Sequence, residues 1–168
     1  MLTETSPVFT TIYDWSISDA IRQNEYAFPA IECVHVLAIS AVVGIITIVD
    51  LRLLGVRAHT PRIRTLLGQL IPIVWGAFLL AAISGLLLFA SNATGYAKNP
   101  DFQVKMALML LAFLNMLAFH IIGRNRLAAW DEAERLPPGA RLSGAVSLLL
   151  WIAIVYFGRQ IGFTLMPF

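Results

Sequence analysis

The chain has 168 residues, 58% of them hydrophobic and only 13% charged, about half the charged share of an ordinary soluble domain. Such a chain does not stay dispersed in water, and its length leaves room for one bundle of about four membrane spans but for no separate soluble domain. The net charge of +2 belongs to membrane orientation rather than to nucleic acid, which is excluded as a partner.

The opening MLTETSPVFTTIYDW has neither the basic start nor the apolar core of a signal peptide, so the first apolar stretch is expected to be kept. Residues 1–27 read as a tail. Within it Tyr13, Trp15, Ile17 and Ile21, with Ser16 or Ser18 as N-cap, suit a short amphipathic helix lying on the membrane surface, against the alternative of a loose tail.

Residues 28–168 read as an all-α, integral membrane four-helix bundle. Its spans run from about Phe28 to Leu54, Leu70 to Ser91, Phe102 to Gly123 and Leu142 to Met166. The connections, Gly55 to Gln69, Asn92 to Asp101 and Arg124 to Arg141, read as turns, the last broken by Pro137-Pro138-Gly139 and holding a short surface helix, LAAWDEAERL. Arg52, Arg57, Arg62 and Arg64 gather at the first connection and Arg124, Arg126, Arg135 and Arg141 at the third. The positive-inside rule therefore places those loops in the cytoplasm and both termini on the outer, periplasmic side of a bacterial inner membrane.

Polar side chains inside a span are costly, so each is a candidate for function or for helix pairing. Glu32 and His35 stand one helical turn apart, and with Lys105 and Arg159 they fall at one depth near the outer face. Asp50, Arg52, His120, Pro72 and Trp75 fall at another, near the inner face. Glu32 suits an ion pair with Arg159 or Lys105 better than a proton relay.

Two histidines in apolar helices suit haem b, whose iron takes neutral imidazole; the plain alternative is a hydrogen bond to a neighbouring helix. His35 and His120 are the metal-ligand candidates, with Lys105 and Arg159 holding propionates and Glu32, Asp50 and Arg52 as supporting charges. Counted at about 1.5 Å per residue, the two histidines lie on opposite sides of the midplane, so one haem bridging both requires tilt or register shift, and separate sites are the alternative. Cys33, His35, Met106 and Met109 offer a weaker copper set, because Cys33 and His35 point about 200° apart on a helix. The lone cysteine excludes an internal disulfide. Gly158 and Gly162, four apart, suit a close helix contact or a homo-oligomer.

The runs YAFPAIECVHVLAISAVVG, DLRLLGV and NPDFQVKMALMLLAFLNMLAFH resemble a family of small bacterial four-helix inner-membrane proteins without an established activity. More remotely, a first-span histidine with a third-span lysine and histidine is similar to copper resistance protein D and to HemJ-type membrane proteins. That likeness implies haem b held by His35, with Lys105 beside it. The interval from lysine to histidine is about one helical turn longer than in HemJ-type proteins, so it does not imply their oxidase activity.

Three functions remain open at this point. The first is a haem b protein passing electrons within the bilayer, as a membrane oxidoreductase with a redox partner or quinone. The second is a transporter or sensor of a proton, metal ion or small anion, and the third is a structural subunit docking a partner.

Overall fold

A computed structural model of the chain describes residues 7–56, 63–123 and 136–165. Among the described residues all regular structure is helical: α1 Pro7–Tyr13, α2 Ser16–Gln23, α3 Ala27–Leu53, α4 Ile63–Ser91, α5 Ala93–Lys98, α6 Pro100–Gly123 and α7 Pro138–Thr164. Four of them, α3, α4, α6 and α7, are long and apolar enough to cross a membrane. Only 6–22% of their most apolar windows is buried within the chain, so most of this hydrocarbon faces outward, as a bilayer would cover it. The LAAWDEAERL helix lies outside the described residues, as do Arg57, Arg62, Arg124, Arg126 and Arg135 and the side chain of Arg64.

Two helices start earlier than apolarity alone suggests. Backbone hydrogen bonding continues α4 back to Ile63 through the polar Thr65 and Gln69. The prolines expected to break the chain instead begin α7, with extended Pro137 at the cap and Pro138 in the first turn, where its missing N–H costs nothing. The connection at 92–101 likewise holds a helix. Asn92 Oδ1 accepts from Gly95 N to start α5, and Asn99 Oδ1 accepts from Phe102 N to start α6. Asn99 also donates to Thr164 Oγ1 at 2.9 Å, and Thr164 donates to Asp101 at 2.8 Å, fastening the start of α6 to the end of α7.

The packing order is α4, α3, α7, α6, with α3 along α4, α6 along α7 and α3 along α7 joining the two hairpins. The joint is tight at Gly144 of α7, where an added Cβ would lie 2.9 Å from Leu53 Cβ and 3.1 Å from the Asp50 carbonyl oxygen. Helices α4 and α6 do not pack along each other, so the bundle is an open arc. At one end the arc is bridged by Phe89 stacked on Phe102, with Tyr96 and Phe9 completing an aromatic cluster. At the other it is floored by Leu53, Leu67 and Ala140, against which Ile71 and Phe119 pack.

The N-terminal segment closes the aromatic end. No side chain caps α2 at its Trp15 start, so neither serine serves as the expected cap. Ser18 is instead wholly buried and donates to the Ile12 carbonyl. Arg22 is the fastening. It pairs with Asp19, lies 3.9 Å over the Tyr13 ring, and donates to the carbonyls of Tyr13 at 2.9 Å and Ser91, the last residue of α4, at 3.1 Å. A cation at a helix C-terminus satisfies carbonyls that have no partner within the helix. Hydrogen bonds from a charged donor contribute about 1.5–3 kcal/mol. Arg22→Ala is therefore expected to lower stability by about 2 kcal/mol. Hydrogen exchange should accelerate first over residues 7–23, and unchanged exchange there would contradict the assigned role.

Candidate functional site

The membrane-spanning residues form two polar groupings, one toward each end of the arc. Toward the aromatic end, His35 of α3 meets α4: its Nδ1 lies 3.0 Å from Ser84 Oγ. Ser84 gives its own hydrogen to the Leu80 carbonyl at 2.7 Å, so its oxygen accepts and His35 Nδ1 carries the proton. The imidazole is thereby held against α4, its ring also hydrogen-bonded to the Ala81 backbone. Gly85 makes room for the ring, since a Cβ there would lie 2.8 Å from His35 Cε1.

Lys105 of α6 stands within electrostatic reach of His35, and its side chain runs past Gly158 of α7, whose added Cβ would be 3.7 Å from Nζ. Thus all four spans contribute to the surroundings of His35 and Lys105. Glu32 and Arg159 do not join them. Arg159 bends along its own helix, 4.5 Å over the Phe163 ring. Among the described residues the only ion pair is that of Arg22 and Asp19, so the expected pairing of Glu32 with Arg159 or Lys105 is absent. Glu32 is exposed and acts instead on Tyr96, outside the spans, whose phenol is pushed above its ordinary value by burial and then by this carboxylate. Tyr96 accordingly stays protonated through the neutral range.

Toward the other end a cavity of about 230 Å³ lies inside the arc, lined by all four spans. Asp50, Trp75 and His120 all line it. Arg52 is not on its wall, and its Nε has no hydrogen-bond partner. Asp50 is 3% exposed; Ser147 of α7 stands beside its carboxyl, and its Oδ2 has no partner. Asn115 and Ser143, also on the wall, bond reciprocally: Asn115 Nδ2 donates to the Ser143 carbonyl and Ser143 Oγ donates to Asn115 Oδ1. His120 is exposed toward the opening. Its Nδ1 donates to the Met116 carbonyl at 3.1 Å, which leaves the lone pair on its Nε2.

The two histidines thus stand apart, since His35 is not on the wall that carries His120. The copper set is dispersed too: Cys33 is an exposed free thiol, and Met109 lines the cavity whereas Met106, Cys33 and His35 do not. Among the described residues no group of three His, Cys, Asp or Glu side chains could hold a metal ion. Gly162, with only Arg159 of its own helix near, makes no close helix contact; that role falls to Gly144.

Sequence reasoning missed Ser84, Gly85, Ser147 and Trp151. Ser84 and Gly85 are adjacent small residues in the second apolar run, and their coincidence at the depth of His35 was the available signal. No protein-family model, curated protein or solved structure matches this chain.

Proposed function

We propose that this protein is a multi-pass inner-membrane protein, termini outside, that binds haem b beside His35 and passes electrons within the bilayer. The arginine-rich first and third connections support the orientation. One observation carries the cofactor reading: the Ser84 hydroxyl, its own hydrogen given to the Leu80 carbonyl, holds the His35 ring at Nδ1 between apolar helices. Second-partner fixing of the other ring nitrogen is the usual support for an imidazole that ligates iron. Lys105 supplies a second nitrogen donor within reach and, with no ion-pair partner among the described residues, serves alternatively as a cation for a propionate. Haem, when bound, supplies one-electron chemistry. The chain's part is to hold the porphyrin, exclude water and set the basicity of His35.

The test is an absorbance spectrum of detergent-purified protein expressed with ample haem, before and after dithionite. A Soret band with sharpened bands on reduction is expected. His35→Ala should remove at least four fifths of it, while His120→Ala should retain it. Absence of any Soret band in the unaltered protein would end this reading.

A second reading, a binding site for a small anion or proton at the same place, is favoured by Lys105, which has no ion-pair partner among the described residues and lies within electrostatic reach of His35. It requires a colourless protein whose flux in proteoliposomes falls in Lys105→Met.

A further inference from the structure

We propose that the cavity between α4 and α6 is a binding site for a hydrophobic organic cation, an amine or quaternary ammonium on an apolar body, with Asp50 as its counter-charge. This site is distinct from the surroundings of His35 and does not rest on the haem reading. Asp50 is 97% buried, its Oδ2 finds no hydrogen-bond partner, and no salt bridge engages it among the described residues. A carboxyl left in that condition is costly to the fold, and a ligand that supplies the missing partner removes the cost.

The rest of the wall fits the same class of ligand. No lysine or arginine lines it among the described residues. Its polar side chains apart from the indoles lean toward acceptance: His120 presents a lone pair, and the Asn115 and Ser143 donors already have acceptors. The remainder is hydrocarbon and aromatic ring, with Trp75, Phe78, Phe113 and Trp151 available to face a cation through their π clouds. A small anion or a sugar would meet the wrong charge or a dry wall.

Depth also fits. The cavity wall runs along α3 from Val42 to Leu53, about 17 Å at the helical rise, with Asp50 close to the end of the helix. An amphiphilic cation lying in a bilayer holds its charge near the interface and its apolar body among the acyl chains, the same order in which Asp50 and the apolar wall are arranged. Helices α4 and α6 do not pack along each other, which suits entry sideways from the lipid on that side.

The test uses the full chain in nanodiscs of phosphatidylcholine, titrated with benzyltrimethylammonium and with its neutral isostere neopentylbenzene, bound ligand being counted over that in empty nanodiscs. Saturable binding of the cation at one per chain is expected. Asp50→Asn should weaken it at least tenfold while leaving the neutral isostere unchanged, and Glu32→Gln, an exposed carboxyl toward the other end, should leave it intact. Should Asp50→Asn fail to fold, Ala112→Leu, which fills the cavity from α6 without touching the carboxyl, should abolish binding in its place. The proposal is overturned if the cation binds no more than to empty nanodiscs. It is equally overturned if neither Asp50→Asn nor Ala112→Leu weakens binding, or if the neutral isostere binds as tightly as the cation.

Discussion

Gly144→Val is expected to separate the two helical hairpins. A Cβ at this position meets the Leu53 side chain at its root and the backbone oxygen of Asp50, neither of which can swing aside. The added isopropyl group must therefore push α7 away from α3, and that contact is the joint between the α3/α4 and α6/α7 pairs. Overpacking of this kind costs about 1–3 kcal/mol at a site that can partly yield, and this one yields little, so a loss of about 3 kcal/mol is expected. Unfolding in detergent would measure it. Gly76→Val is the control, because Gly76 has nothing within 4 Å of an added Cβ, and it should change stability by a few tenths of that amount. Equal loss in both variants would show that glycine flexibility, rather than the close approach, governs the effect.

The second large effect is expected from Gly85→Ala, one methyl group placed 2.8 Å from His35 Cε1 and 3.4 Å from Nδ1. The imidazole must turn away, and turning breaks its hydrogen bond with Ser84. Helical content should persist, since alanine is the better helix former. On the haem reading proposed above, bound haem should fall at least fivefold, and the ring-nitrogen NMR signals of His35 should lose the single tautomer that the serine enforces. Gly158→Ala places its methyl at 3.7 Å from the Lys105 ammonium, an ordinary contact, and should be tolerated. Unchanged His35 signals in Gly85→Ala would mean that the ring has room the close contact denies it.

Depth along the spans was legible in the sequence, and direction around them was not. Counting residues along a helix grouped Asp50, Arg52, Pro72, Trp75 and His120 at one level, and Asp50, Trp75 and His120 line one cavity while Arg52 and Pro72 are not on its wall. The same count grouped Glu32 and Arg159 with His35 and Lys105, although Arg159 lies over Phe163 and Glu32 faces Tyr96. The reason is physical. In a soluble helix the polar face marks the outside, whereas a membrane helix is apolar toward lipid and neighbour alike, and its sequence carries little record of which side packs. The gap between α4 and α6 was invisible for the same reason. The caps at Asn92 and Asn99, whose partners are three residues away, went unread in a connection taken as a turn, and the partners of Ser18 and Arg22 are set by tertiary packing.

The fastening made by Arg22 has a bearing on how the chain is made. Its acceptor, the Ser91 carbonyl, lies 69 residues downstream, and the aromatic partner of Phe9 is Phe89. Residues 7–23 emerge from the ribosome before α4, yet their partners do not exist until two spans have been synthesised and inserted. Domains that fold as they emerge complete their first residues first. In this chain residues 7–23 must wait, and their docking becomes a late step of assembly that reports whether the first hairpin has entered the bilayer.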